Sequence, residues 1–384
     1  MIARKIIITG GHLTPALATI EELRKQGDWE IYYLGRERSF EGKKVSSQEA
    51  KIIPASGINF IPIRAGRLQR RFTLYTIPSL LKIPFSFFQS LLIIGKIKPD
   101  LILSFGGYVS VPIVIAGWIK KIPVITHEQT SSPGLANKIN SHFSDLIAVS
   151  FKETLNFFSK KKTVFTGNPL REEIFEIKKS PSPGKVEFLQ EKLSLPLIYV
   201  TGGSQGASII NKSIMELAPF LLERALIIHQ TGELDYIRVF EFSERLPEKL
   251  KERYFVKNYI SKEEIGWVLN RADLVISRSG ANIVWELGAL GKPAILIPLP
   301  IAGADEQMKN AILLKKIGLA EIIPQKDLSS EKLRQLIEKM ILNIKEYKTK
   351  VKETENIFFQ DGAKNLVCLV YELLKKRKTK ETQV

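Results

Sequence analysis

The sequence predicts an α/β protein built of two Rossmann-like, doubly wound domains facing across a cleft. Three observations carry that expectation. The apolar run Ile6-Ile7-Ile8 breaks at Thr9-Gly10-Gly11-His12, and a helix begins near Pro15. The same succession recurs at Leu197-Ile198-Tyr199-Val200-Thr201, followed by Gly202-Gly203-Ser204-Gln205-Gly206-Ala207 and a helical pattern over 208–217. Such turns leave backbone N–H groups uncovered at a positive helix end, where a phosphate can settle. Finally, 384 residues are enough for two cores.

In the first half, strands are expected over 5–9, 29–34, 101–104, 124–127 and 146–149. Helical patterns between several of them imply a parallel sheet covered on both faces. Gly106-Gly107-Tyr108 follows the third of these strands, a helix is expected over 111–119, and His127-Glu128 closes the fourth. Ligands of open α/β sheets bind beyond the carboxyl ends of strands, so these turns should share one rim. Gly167-Asn168-Pro169 reads as the crossing between halves, which assigns 1–167 to one domain and 168–356 to the other. A Ser/Pro/Gly/Lys stretch, 178–185, follows. Strands over 197–201, 225–230, 254–257, 274–277 and 294–298 repeat the scheme, and the tail from 332 onward is helical and basic.

Fifty-seven basic against 40 acidic residues leave a net charge of +17. That excess fits a lysine-rich solubilising surface or an anionic partner. Nucleic acid is not indicated, since zinc-finger spacing and an aromatic RNP-type strand are missing from the sequence. The lone Cys368 excludes a disulfide framework and fits a reducing compartment. Neither a signal peptide nor a clean spanning helix is expected.

Segment 64–94 combines Arg64, Arg67, Arg70 and Arg71 with a dense apolar stretch that includes Phe72, Tyr75, Leu80, Phe85, Phe88 and Leu92. Pro78, Lys82, Pro84 and Gln89 interrupt it, so it should not cross a bilayer. Part of it is core; a basic collar around an apolar patch also describes a face resting on anionic lipid.

Neither glycine turn is a dinucleotide fingerprint, and the second lacks the Walker ending. A third turn, Ser277-Arg278-Ser279-Gly280-Ala281, again closes a strand, and Glu286 follows about one and a half helical turns later. There it can accept both hydroxyls of a ribose, or serve only as an acid favoured by the helix dipole. Asp305-Glu306-Gln307 can bind sugar hydroxyls or form a solvated loop. The sequence holds no Asp-x-Asp clamp, so neither metal nor cofactor is called for. A departing diphosphate would be met by backbone amides, helix ends and an arginine such as Arg171. His12, inside its glycine turn, is the candidate base for a hydroxyl proton. His127 could equally be a structural hydrogen-bonding residue.

In their order and spacing these motifs resemble the MurG family of peptidoglycan glycosyltransferases. That family adds N-acetylglucosamine to the undecaprenyl-pyrophosphoryl-muramyl-pentapeptide lipid. The similarity runs from Lys5 to about Asn365 and rests on Thr9 to Pro15, Ser104-Phe105-Gly106-Gly107-Tyr108-Val109-Ser110, His127-Glu128-Gln129, Pro133 to Lys138, Gly167-Asn168-Pro169-Leu170-Arg171, Gly202 to Ala207, and Arg278 through Glu286. The resemblance implies a glycosyltransferase B-type fold, with a last helix (357–384) returning to the first domain. It implies UDP-N-acetylglucosamine as donor substrate, held mainly by the second half. Glu286 would take the ribose and the Ile260 backbone the uracil. Ser204, Gln205, Gly206 and Arg171 would approach the diphosphate, and Gln307 the sugar. Ala281, Asn282, Ile283, Val284 and Trp285 would line the donor helix, and Thr9, Gly10, Gly11 and Thr130 the wall opposite. Gly106, Gly107, Tyr108, His127 and Glu128 would serve the lipid acceptor. Arg67, Arg70, Arg71, Phe72, Tyr75, Leu80 and Phe85 would meet an anionic membrane, on the cytoplasmic face of the bacterial plasma membrane. This chain departs from the family at Ile7-Ile8, where Gly-Gly is usual, and at Thr130, where asparagine is usual. Other occupants of such a fold are a glycolipid synthase acting on diacylglycerol, a UDP-sugar epimerase, and a non-catalytic membrane-docked relative.

Overall fold

The computed structural model describes residues 3–38, 47–66, 76–176, 186, 191, 194–203, 205–300, 305–350 and 357–382. The chain divides into two compact units, Met1–Arg171 with Gln360–Val384, and Glu172–Phe359.

The first unit is a seven-stranded sheet in which every pair is parallel. Its strands are β1 (Arg4–Thr9), β2 (Trp29–Gly35), β3 (Asn59–Pro62), β4 (Leu101–Ser104), β5 (Val124–Glu128), β6 (Leu146–Val149) and β7 (Thr163–Phe165). Their order is β3-β2-β1-β4-β5-β6-β7. Both faces are covered, which is why the central strands read as unbroken apolar runs. Ile6 and Ile8 pack against helix α1 (Leu13–Gln26) and the C-terminal helix Gly362–Thr382, through Ala16, Ile20, Leu366 and Val370. Ile7 faces the other way, onto Ile94, Ile97, Ile113 and Ala116. The Ile7-Ile8 departure therefore extends β1 by buried side chains on both faces.

Helices α2 (Gln48–Ala55), α3 (Thr76–Ile97), α4 (Ser110–Ile119) and α5 (Leu135–Phe143) complete the unit. Segment 76–97 is a single helix, whose apolar run Pro78 and Pro84 interrupt without ending it. Pro78 stands in the first turn, where no N–H is needed, and Pro84 costs one internal bond. Strands β3 and β7 were not expected. Both are short sheet-edge strands with partly exposed residues, so neither shows an apolar run.

The second unit repeats the plan with β8 (Leu197–Thr201), β9 (Leu226–Gln230), β10 (Tyr254–Lys257), β11 (Leu274–Ser277), β12 (Ala294–Leu296) and β13 (Ala320–Ile322). Their order is β10-β9-β8-β11-β12-β13, again all parallel. Helices α6 (Ser208–Leu221), α7 (Tyr236–Glu244), α8 (Lys262–Arg271), α9 (Ala281–Ala289) and α10 (Glu306–Lys316) connect or follow these strands. Ile198, Val200, Ile210, Ile214 and Ile276 form the centre of its core. The edge strand β13 was missed for the same reason as β3.

In each sheet the strand order reverses once, between β1 and β4 and between β8 and β11. A crevice opens at such a point because the loops on its two sides leave in opposite directions. The turns after β1, β4, β8 and β11 are the four glycine-bearing turns singled out from the sequence.

Candidate active site

At the switch point of the first unit the two turns interlock. Gly11 N–H donates to the Gly106 carbonyl at 3.1 Å, and the Tyr33 hydroxyl donates to the Gly10 carbonyl at 2.8 Å. Gly10 has φ +140°, and a Cβ there would lie 2.8 Å from the Phe105 carbonyl carbon, so only glycine fits. The Thr9 hydroxyl is buried and donates inward to Leu34 O at 2.8 Å. This approach places His12, half-buried at the start of α1, with its Nδ1 3.0 Å from the Phe105 carbonyl oxygen and 2.6 Å from the Gln129 carboxamide. Desolvation holds the His12 pKa below its ordinary value; Arg36 pushes the same way, while Glu128 and Glu49 oppose it.

His127 and Glu128, at the end of β5, lie beneath that surface. His127 is fully buried, its ring 5.4 Å from that of Phe105 and its Nε2 3.3 Å from Ser150 Oγ. Burial pushes its pKa down to about 3, so it is neutral at physiological pH. The Glu128 carboxylate accepts from Thr130 N (2.9 Å), Thr130 Oγ1 (2.7 Å), Gly134 N (3.2 Å) and Asn137 Nδ2 (2.9 Å). It staples the turn that carries Gln129. The Thr130 hydroxyl is thus part of this staple and points inward. Tyr108 is half-buried and hydrogen-bonds the Arg36 guanidinium, which also donates to Glu49 at 3.2 Å.

At the switch point of the second unit, Gly203 N donates to Thr201 Oγ1 at 3.0 Å and Gly206 N to Gly203 O at 3.0 Å. Gly206, at φ +77°, sits so close to the next turn that a Cβ would meet Thr231 O at 2.0 Å. Gln205 is exposed, and Ser204 lies outside the described residues. Beyond β11, Gly280 begins α9. Ala281, Asn282 and Ile283 form its first turn, and Glu286 is buried. On the same helix Val284 and Trp285 are core side chains. Both are fully buried, and the indole packs edge-on against Phe358 at 5.1 Å and Phe359 at 5.7 Å. They fix α9 against the segment that carries Phe358 and Phe359.

The remaining donor candidates lie on the loops around this rim. The Asn310 amide donates to Ser279 O at 3.3 Å, tying the turn after β11 to α10. Gln307 Oε1, at the start of α10, accepts from Leu299 N at 2.9 Å. Ile260 N donates to Gln230 Oε1 at 3.3 Å, so its N–H already has a partner. Arg171 ends the first unit and is half-buried.

Of the expected membrane residues, Arg67, Arg70, Arg71, Phe72 and Tyr75 lie outside the described residues, as does the Leu80 side chain. Phe85, Phe88 and Leu92 are 53%, 63% and 76% exposed, and their spacing puts them on one face of α3. Trp118 and Ile119, at the end of α4, are also exposed and were not singled out from the sequence. Among the described residues no helix is long and apolar enough to cross a membrane.

Residues 6–149 match the glycosyltransferase family 28 N-terminal domain and residues 197–366 its C-terminal domain. Two doubly wound units with glycine turns at both switch points thus belong to a glycosyltransferase class. The chain is 38% identical over 327 residues to the Treponema denticola UDP-N-acetylglucosamine--N-acetylmuramyl-(pentapeptide) pyrophosphoryl-undecaprenol N-acetylglucosamine transferase, covering 83% of this chain and 82% of that one. It is 35% identical over 381 residues to the Clostridium novyi protein of the same name, covering 97% and 99%. In fold it is similar to the crystal structure of Acinetobacter baumannii MurG, with a TM-score of 0.68 over 96% of this chain and 99% of that one, at 24% identity. The chain belongs to the MurG family of glycosyltransferases.

Proposed function

We propose that the protein transfers N-acetylglucosamine from UDP-N-acetylglucosamine to the muramyl-pentapeptide pyrophosphoryl-undecaprenol lipid, with inversion at the anomeric carbon. The observation that carries this reading is the pair of glycine turns at the two switch points, in a chain 35–38% identical to transferases of that name. The second unit takes the donor. Glu286 accepts the ribose hydroxyls, and the Ile260 carbonyl accepts from the uracil imide. The Gly202–Gly206 turn, the start of α9 and Arg171 meet the charge of the departing diphosphate, and Gln307 meets the sugar.

The first unit takes the acceptor at Gly106, Gly107 and Tyr108. His12 draws the proton from the attacking hydroxyl as UDP leaves from the opposite face. His127 and Glu128 support that surface from beneath. The exposed apolar face of α3, with the basic segment preceding it, rests on the anionic cytoplasmic surface of the plasma membrane, where a lipid-borne acceptor is presented.

The test is incubation of the purified protein with UDP-N-acetylglucosamine and a short-chain muramyl-pyrophosphoryl lipid, with diacylglycerol offered in parallel. Disaccharide on the muramyl lipid is the expected product. Sugar on diacylglycerol, a free epimerised sugar, or donor binding without transfer would each overturn the assignment. His12→Ala should lower kcat by about 10²–10⁴-fold with donor affinity retained.

A further inference from the structure

His12 Nδ1 faces two groups, the Phe105 carbonyl oxygen at 3.0 Å and the Gln129 carboxamide at 2.6 Å. A carbonyl only accepts, so Nδ1 must carry the proton. The carboxamide nitrogen is the atom set against it, and two donors cannot face each other, so the carboxamide turns over to bring Oε1 there, sharing the one Nδ1–H with the Phe105 carbonyl. Gln129 is 2% exposed, and the far atom of its carboxamide has no hydrogen-bond partner in the protein. Its side chain therefore has one polar contact to make here, and that contact is His12.

We propose that Gln129 is a positioning residue for the transfer. With the Phe105 carbonyl it holds the proton on Nδ1 of His12, fixes the ring, and so keeps Nε2 as the lone pair that receives the acceptor's proton. The proposal rests on His12 being the base. Three features support it. Gln129 directly follows Glu128, whose four hydrogen bonds fix the turn from below. The carboxamide is neutral, so it orients the imidazole without the large rise in basicity that a carboxylate in the same place would cause. Other charged or titratable groups that act on the ring are Arg36 after β2, Glu49 on α2, and Glu128 and His127 on β5. None of them has a hydrogen bond to Nδ1 among the described contacts.

The experiment compares kcat/KM against pH for the wild-type protein, Gln129→Glu, Gln129→Leu and His12→Ala, with the nucleotide-sugar donor and a short-chain lipid acceptor. Gln129→Glu puts an anion beside Nδ1–H and favours imidazolium. The acid limb should move to higher pH by about 1–3 units. Gln129→Leu keeps the volume and loses the acceptor. Its kcat should fall by about 10–100-fold while KM for the donor stays within twofold. A residue that only filled space would lower the rate without moving the acid limb.

A Gln129→Glu profile that overlays the wild type, or a Gln129→Leu enzyme with wild-type kcat, overturns the proposal. Should the leucine variant fold poorly, the nearly isosteric glutamate variant decides alone. Full turnover by His12→Ala would remove the base itself. An inactive His12→Ala beside an unmoved acid limb in Gln129→Glu would remove only the role of Gln129.

Discussion

Asn211 and His229 meet at 3.0 Å behind the glycine turn of the second unit. The Asn211 amide donates to Thr231 O and Asp235 Oδ2, both at 2.9 Å, so its Oδ1 must accept from His229 Nε2–H. The Tyr254 hydroxyl then donates to His229 Nδ1 at 2.7 Å. Thr231 O is the atom against which Gly206 is seated. A chain of buried hydrogen bonds thus runs from β10 to the proposed diphosphate turn.

Replacing His229 by Leu should leave Asn211 Oδ1 and the Tyr254 hydroxyl buried without partners, at a cost of about 1–3 kcal/mol each. The expected outcome is a several-fold rise in the Kd for UDP, measured by calorimetry, together with a lower Tm. Unchanged UDP affinity in a folded variant would show that the network does not position the turn.

Acid should weaken both units through their buried histidines. Burial pushes His127 and His229 down to about 3 from an ordinary 6.5. The unfolded chain therefore binds more protons between those values. Stability is complete above pH 6.5 and falls as pH drops toward 3, by about 1.4 kcal/mol per pH unit for each histidine. Urea unfolding at pH 7 and pH 5 should differ by about 2 kcal/mol per histidine. His229→Gln should flatten that dependence in the second unit, and an equally steep one would point to other groups.

Two glycines of one turn should respond unequally to alanine. Gly203 (φ +82°) would place its Cβ in open space, so only the left-handed backbone resists, at about 1–2 kcal/mol. Gly206 (φ +77°) would drive its Cβ into the Thr231 carbonyl and push the turn off its seat. Gly206→Ala should lose UDP binding by more than tenfold, whereas Gly203→Ala keeps most of it. Equal losses would mean that backbone strain alone governs the turn.

Legibility in the sequence followed burial. Central strands such as β1, β4 and β8 are covered on both faces and so show as apolar runs, while the short, half-exposed β3, β7 and β13 leave no such trace. His12 stood out because an imidazole in a glycine turn has no packing role. Gln129 belongs to a motif, but its pairing with His12 carries no sequence signal, since the two lie 117 residues apart and only the fold joins them. The Thr9 and Thr130 hydroxyls both bond inward, which a linear motif cannot reveal.

The face of α3 offers the most direct test of membrane docking. Phe85, Phe88 and Leu92 project from one side, while Ser86, Ser90, Ile94 and Ile97 are buried. An exposed apolar stripe beside a basic segment should bind lipid through two components that salt separates. Charge attraction is screened, with a Debye length of about 8 Å at physiological ionic strength, whereas apolar insertion is not. Phe88→Ser with Leu92→Ser removes much of the second component, about 2 kcal/mol for partial insertion, or roughly a 30-fold loss of vesicle affinity. The loss should persist at high salt on vesicles containing anionic lipid. UDP affinity should not change, because none of the proposed donor residues lies on α3. Wild-type vesicle binding by the double variant would mean that α3 is not the face that meets the membrane.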